Sequence, residues 1–214
     1  MGIREWILTN IPRTAVIVEA GSADGSDTEW FSDNFKDGMI YAFEPDPSLY
    51  KETHLRVATR RNVELSTYAL SDKTGDATFY VSKNSGKDWG SSSILKPKDH
   101  LWFHPTITFD TQINVKTINL DEWSLAKNID KIDLMWLDMQ GAEPLVLAAA
   151  PRTLAKTQYV YTEVSVIETY ENVVQLEDFK KQMDSSGFEF VCIVDMWKDM
   201  GNVLFKNRMF DIIH

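Results

Sequence analysis

Several side chains able to do chemistry stand at the ends of short apolar runs, or interrupt them. Glu19 follows Ala15-Val16-Ile17-Val18 and opens the small-residue stretch Glu19-Ala20-Gly21-Ser22-Ala23-Asp24-Gly25. Glu44 follows Met39-Ile40-Tyr41-Ala42-Phe43 and precedes Pro45-Asp46-Pro47. Ser71 closes Tyr68-Ala69-Leu70-Ser71. Asp138 follows Leu134-Met135-Trp136-Leu137 and leads into Met139-Gln140-Gly141-Ala142-Glu143. Glu163 interrupts Tyr159-Val160-Tyr161-Thr162 before Val164.

Each placement suggests a role and has a plainer reading. Gly21 lets backbone pass close to a ligand, Ser22 adds a hydroxyl there, and Gly25 permits tight entry into a helix. That helix N-terminus favours partial negative charge. The spacing is not the dinucleotide Gly-x-Gly-x-x-Gly, because Ala23 and Asp24 fill the later positions. Acidic Glu19 ahead of the loop suits a cationic ligand, although a structural tight turn would read alike. Glu44 can accept both hydroxyls of a ribose, with Pro45 offering a flat apolar face near a base. A solvated carboxylate before a proline turn is the alternative. Leu70 and Ser71 could flank an adenine and bond its edge, or form an ordinary capped turn. A carboxylate at the depth of Asp138 or Glu163 is costly unless it is hydrogen-bonded, paired or functional. Gly141 suggests close backbone approach at the same turn, and Glu143 either joins that site or caps its helix.

Other chemistries are poorly supported. Of the four histidines, only His100 and His104 are close in sequence, and the zinc spacing is otherwise absent. A serine-hydrolase elbow, Gly-x-Ser-x-Gly, does not occur. Cys192 is the single cysteine and lies in Phe190-Val191-Cys192-Ile193-Val194, which predicts a buried thiol in a reducing compartment.

The elements that must position these groups alternate in type. Strand-length apolar runs are expected near 15–18, 39–43, 63–68, 113–118, 132–137 and 159–164. Helices are expected over 26–35, from 46 or 48 to 58, over 143–150 and over 176–185. Residues 77–82 alternate like a hairpin strand, and 188–194 with 203–205 read as a closing antiparallel pair. This pattern predicts an α/β fold: an open, mostly parallel sheet with helices on both faces. Right-handed crossovers then bring the strand ends carrying Glu19, Glu44, Ser71, Asp138 and Glu163 to one rim, where ligands bind in such sheets. The chain, 1–214, reads as one domain. Residues 83–105 are rich in Ser, Lys, Gly and Pro with interspersed Trp89 and Trp102, as a functional lid would be.

The 214 residues include 22 Lys+Arg against 32 Asp+Glu, a formal net charge of −10. So acidic a chain is a poor candidate for gripping nucleic acid. No run approaches the ~20 apolar residues of a membrane helix. Charged and polar residues come too early for a secretory signal, and Met1-Gly2 lacks the serine or threonine of a myristoylation site. A cytoplasmic protein is expected.

Taken in order, VIVEAGSADG, YAFEPDP, YALSD, Thr117-x-x-Leu120-Asp121 and IDLMWLDMQGAEPLVL resemble the FkbM family of S-adenosylmethionine-dependent methyltransferases. The resemblance covers roughly 16–166. It implies a single-domain, Rossmann-like class I methyltransferase fold, with a seven-stranded sheet and an antiparallel last strand. It implies that Glu19, Gly21, Asp24 and Gly25 form the methionine-moiety loop, that Glu44 clamps the ribose and that Leu70-Ser71 neighbour the adenine. Asp138 then faces both the methyl group and the acceptor. Many members have Asp where this chain has Glu19. The family methylates hydroxyls of polyketides, glycans and glycolipids.

The chemistry so implied is displacement at a sulfonium methyl, with an acceptor oxygen held about 3–3.5 Å from the carbon. A base taking the hydroxyl proton contributes roughly 10²–10⁴-fold. Asp138 is the first candidate, then Glu163 and His104. Trp89, Ser92, Ser93, Trp102 and Gln140 are the candidate acceptor contacts, and a sugar or glycan is the favoured acceptor. Two alternatives stay open: a magnesium site on Asp138 and Glu163, with no metal as the expectation, and a non-catalytic module that keeps the cofactor fold.

Overall fold

The computed structural model describes residues 2–211; Met1 and 212–214, His214 included, lie outside the described residues. The first half alternates as expected. Helix α1 (Ile3–Asn10) precedes β1 (Val16–Ala20), α2 (Ser26–Asn34), β2 (Met39–Phe43), α3 (Pro47–Val57) and β3 (Val63–Ser66). Sequence chemistry sets these boundaries. Asp46 caps α3 by accepting from Ser48 N at 2.9 Å, with Pro47 supplying a preset first turn.

The chain then leaves the main sheet. β4 (Ala69–Ser71), β5 (Gly75–Asn84), β6 (Lys87–Asp88), α4 (His100–Phe103) and β7 (Ile107–Asn119) follow. It returns through α5 (Leu120–Ala126), β8 (Ile132–Leu137), α6 (Glu143–Ala148), α7 (Pro151–Ala155) and β9 (Thr157–Ser165). It closes with α8 (Leu176–Ser185), β10 (Phe188–Met196) and β11 (Met200–Asn207).

The main sheet has seven strands in the order β10-β11-β9-β8-β1-β2-β3. Only β11, the last in the chain, runs antiparallel to its neighbours. Side-chain alternation divides two cores. Val18, Ala20, Phe43, Met135 and Leu137 face α5–α8, and Phe179 and Met183 of α8 pack into that side. Ile17, Ile40 and Leu134 face the other way, onto Ile7 of α1 and Phe31 of α2. Chain order reverses between β1 and β8, and at such a reversal a crevice opens beyond the strand ends.

Three expectations are corrected. Ala69-Leu70-Ser71 and the 113–118 strand belong to a separate four-stranded sheet, β4-β7-β5-β6, in which β5 and β7 form a long antiparallel pair. Alternation in a short run shows that one face is buried but not against which sheet. The 143–150 helix breaks at Ala148 and restarts at Pro151. Cys192 is exposed, as are its neighbours Val191 and Ile193. β10 is an edge strand, paired on one side only, so much of its apolar run stays exposed to solvent.

Candidate active site

A cavity occupies the β1/β8 crevice, with about 500 Å³ of space that includes its opening to solvent. Its floor is Gly21, Glu44, Asp138 and Met139, from the ends of β1, β2 and β8. Its apolar wall is Pro45, Leu49, Leu70, Phe79 and Ile94. The second sheet and the 83–105 segment therefore cover the cavity, with Gly90 and Ser92 also lining it.

Gly21 is required by geometry. Its φ is +80°, and a Cβ there would lie 1.8 Å from the carbonyl oxygen of Asp138. Gly21 N donates to Phe43 O at 3.0 Å and Asp138 N to Ala20 O at 2.9 Å, so the three strand ends are laced together. Gly25 has a packing role, because a Cβ would meet Thr53 Cγ2 at 2.8 Å. Asp24 is engaged within the protein: Oδ1 caps Ser26 N at 3.0 Å and Oδ2 meets Arg56 at 3.2 Å.

Glu44 is almost fully buried, and both its oxygens touch backbone. Oε2 accepts from Ala23 N and Oε1 from Asp46 N, each at 2.8 Å. Burial raises its pKa to about 8, and those two N–H groups oppose the rise. Each oxygen keeps a second acceptor position, which is what a pair of ribose hydroxyls needs. Glu19 lies behind the β1 turn, off the cavity wall, on the face that carries α2. Burial raises its pKa to about 8 as well. Among the described residues, Ser22 Oγ and Asp46 Oδ2 are buried without hydrogen-bond partners, as are Arg60 Nε and His100 Nδ1 elsewhere, while Thr28 lies beside Glu19 and opposes the rise of its pKa. Native proteins rarely leave such atoms idle, and Ser22 and Asp46 stand at this turn and the next. Orphaned acceptors, a glycine turn and an apolar slot fit a cationic nucleoside. Leu70 lines that slot, whereas Ser71 does not, because its hydroxyl donates to Asp72 at 3.0 Å.

Asp138 opens onto the cavity and stays accessible to water, yet protein atoms crowd its carboxylate and raise its pKa to about 6. Gln140 joins it to Glu163: Nε2 donates to Asp138 Oδ1 at 2.8 Å and to Glu163 Oε2 at 2.9 Å. Glu163 is buried inside β9, and burial, followed by the Asp138 charge, pushes its pKa well up. Glu143 Oε1 accepts from Met139 N, closing the turn. Oxygens of Asp138, Glu143 and Glu163 lie within 4.8 Å of one another, but the Gln140 amide already fills the gap between Asp138 and Glu163.

The remaining candidates surround this centre. His104 is half-exposed and its Nε2 lies 2.8 Å from Oδ2 of buried Asp199. Trp89 and Trp102 are exposed, at 47% and 85%, and neither lines the cavity. Ser92 Oγ lies 2.9 Å from Ser82 N, and Ser93 Oγ donates to Gln140 O at 3.0 Å. Two residues escaped the sequence reading. Tyr170 is fully buried, with Oη 3.0 Å from Gln140 Oε1, and Asp199 orients His104 across 95 positions. Such contacts leave no mark on local spacing.

Comparison with known proteins agrees with this geometry. The Methyltransferase FkbM domain matches residues 19–190. The chain is 35% identical over 195 residues to the 2-O-methyltransferase NoeI of Sinorhizobium fredii, covering 90% of this chain and 79% of that one. In fold it is similar to Methanococcus jannaschii fibrillarin, with a TM-score of 0.55 and 15% identity over 92% of this chain and 68% of that one. Aeropyrum pernix fibrillarin, whose structure holds natively bound S-adenosyl-L-methionine, gives a TM-score of 0.54 and 14% identity over the same shares. The chain belongs to the FkbM methyltransferase family and is an S-adenosylmethionine-dependent enzyme.

Proposed function

We propose that this enzyme methylates a hydroxyl oxygen of a sugar, free or within a glycan, using the β1/β8 cavity for its cofactor. When bound, S-adenosylmethionine supplies an electrophilic methyl on a cationic sulfur. The residues that would hold it are Gly21 and Glu44, with Leu70 and Pro45 against the base and Ser22 beside the turn, while Glu19 lies behind the turn, off the cavity wall.

The observation that carries the reading is Asp138: a water-accessible carboxylate on the cavity floor, tied through Gln140 to a second carboxylate. With its pKa near 6, Asp138 is ionised at neutral pH and can take the proton that an acceptor hydroxyl gives up. Glu163 is buried, and burial followed by the Asp138 charge favours its neutral form. A hydroxyl poorly acidic in water thereby gains oxyanion character only as methyl transfer proceeds, and the proton stays on the enzyme until product leaves.

Exposed Trp89 and Trp102 support a sugar acceptor, since aromatic faces match the C–H faces between sugar hydroxyls. The 83–105 segment is then the acceptor-side lid. His104, oriented by Asp199, is assigned a hydrogen bond to the acceptor rather than the base role. Ser93 and Gln140 bond within the protein and are assigned to the scaffold. The name of the 35%-identical relative, a 2-O-methyltransferase, supports transfer to oxygen. A net charge of −10 disfavours nucleic acid as acceptor. Among the described residues, no helix is long and apolar enough to cross a membrane. We place the reaction in the cytoplasm, where the exposed Cys192 stays reduced.

The test is methyl transfer from labelled cofactor to a panel of sugars, catechols, polyketides and RNA, with and without a chelator. Transfer to sugars, unchanged by chelation, is expected. Trp102→Ala should raise the acceptor KM several-fold at unchanged cofactor affinity. Transfer confined to catechols or RNA would overturn the sugar assignment, and loss of rate on chelation would overturn the metal-free one.

A further inference from the structure

Gln140 stands in a conformation that needs explaining. Its φ is +54°, in the left-handed region that side-chain-bearing residues seldom adopt, and it is buried. A strained backbone persists where its surroundings hold it, and such residues cluster at functional sites. The same turn carries Gly141 at φ +92°, packed against Val173 and Tyr170, so the turn cannot relax by shifting outward. What the strained turn achieves is the aim of one amide. Nε2 reaches Asp138 Oδ1 at 2.8 Å and Glu163 Oε2 at 2.9 Å, on strands that are neighbours in the sheet. The single hydroxyl hydrogen of Tyr170 is shared between two acceptors, Gln140 Oε1 at 3.0 Å and Ser91 O of the 83–105 segment at 2.8 Å. Ser93 Oγ donates to Gln140 O at 3.0 Å, so that segment is fastened to both the side chain and the backbone of this one residue.

We propose that Gln140 is a positioning residue: its amide ties Asp138 on the cavity floor to Glu163 behind it, and Ser93 together with the shared Tyr170 hydroxyl fastens this residue to the segment that roofs the cavity. The inference rests on the methyl-transfer reading above. It follows from what each bond does. The amide NH₂ carries two hydrogens, so it serves both carboxyl groups at once: one supports the Asp138 charge and the other meets an acceptor oxygen of Glu163. By occupying Oδ1 the amide leaves Asp138 Oδ2 as the oxygen available to an acceptor. The other charged or titratable groups facing the pair are Asp27 from α2, Glu44 beyond β2, Glu143 from α6, Tyr161 from β9, and Tyr170 and Asp199. None of these bridges the two carboxylates by a hydrogen bond.

Gln140→Met keeps length and volume while deleting both amide ends. The expected result is a fall in kcat of about 10²-fold, with S-adenosylhomocysteine affinity, acceptor KM and Tm nearly kept. Tyr170→Phe, which removes one oxygen and leaves the Gln140 bonds to the carboxylates, should lower kcat less than tenfold. A kcat within about threefold of the parent in Gln140→Met overturns the proposal. So does a loss of cofactor affinity or Tm matching the loss of kcat, which would mark Gln140 as purely structural. Failure of the parent to transfer methyl to any hydroxyl, with cofactor still bound, would instead count against the function proposed above.

Discussion

Replacing Glu44 by Gln changes one oxygen into a donor, and the structure sets the consequence. In the folded chain Oε2 accepts from Ala23 N and Oε1 from Asp46 N, both at 2.8 Å. An ionised carboxylate has about four acceptor positions, so two remain for two ribose hydroxyls. A glutamine offers one oxygen with two positions, and its NH₂ faces a backbone N–H. At least one of the four bonds must go, and the ribose hydroxyls lose a charged acceptor. A hydrogen bond to a charged acceptor is worth about 1.5–3 kcal/mol. Losing one from the ribose therefore weakens cofactor binding roughly 10–150-fold. A second readout comes from pH. Burial holds Glu44 near pKa 8, and hydroxyl donors favour its charged form, so binding below that pH releases a proton. Affinity should rise with pH by up to about tenfold per unit until pH 8 and then flatten. Glu44→Gln should lose this share of the slope. Calorimetry with S-adenosylhomocysteine at several pH values, in buffers of different ionisation enthalpy, reads both affinity and proton count. Unchanged affinity and unchanged proton release in a variant that keeps its Tm would refute the ribose seat.

Asp138→Asn should lower kcat at least about 10²-fold at nearly constant cofactor affinity, because it removes the base while keeping its shape. In the parent, kcat should fall as pH drops through about 6, where the carboxylate takes up its proton, and a flat profile across that range would count against Asp138. Gly21→Ala forces a Cβ to within 1.8 Å of Asp138 O at a φ that costs about 1–2 kcal/mol for a non-glycine residue. Both Tm and cofactor affinity should drop, and a variant matching the parent in both would show that the close approach is dispensable. Glu19, Glu44 and Glu143 are each raised from 4.5 to about 8 on folding, so the folded chain holds extra protons between those values. The stability they lend is full below about pH 4.5 and is lost as pH rises to 8, and calorimetric Tm of the unliganded protein should fall over that window. A rising Tm would contradict it.

How much was legible in the sequence depended on the range of the interaction. Runs such as Ile132–Leu137 and Met39–Phe43 are buried on both faces of a parallel sheet, and a residue-by-residue reading finds their ends to within one position. Helix α8 was found end to end, because Leu176, Phe179 and Met183 repeat at helical spacing. Gly21, Glu44, Leu70 and Asp138 could be gathered into one cavity because strand ends in such a sheet must share a rim. Partner choice was not legible. Ala69–Ser71 looks like a strand in any sheet, and only β7, more than 40 residues later, shows which. The edge position of β10, the Asp199 behind His104 and the Tyr170 behind Gln140 all depend on contacts between distant segments. Gln140 was expected to touch the acceptor. Its spacing from Asp138 was visible, but the strained turn that directs its amide inward was not.

The acidity of the chain takes on meaning at this rim. Glu19, Glu44, Glu143 and Glu163 are buried and Asp138 is crowded by protein, and in each case burial works against the charge. No lysine or arginine is bonded to any of them among the described residues; the ion pairs lie elsewhere, as at Arg56 and Arg60 over α2. An ion pair supplied by the protein would lower these pKa values permanently and leave the carboxylates neutralised. Backbone N–H groups and one glutamine amide satisfy the carboxylates only in part. At neutral pH the buried glutamates therefore hold protons and Asp138 carries the charge, and a cationic ligand on entry favours their ionisation. A cofactor carrying positive charge on its sulfur draws that ionisation, and its neutral product draws less of it. The same arrangement that binds the reactant thus favours release after the methyl has gone, which is a use for carboxylates that a packed core alone would not retain.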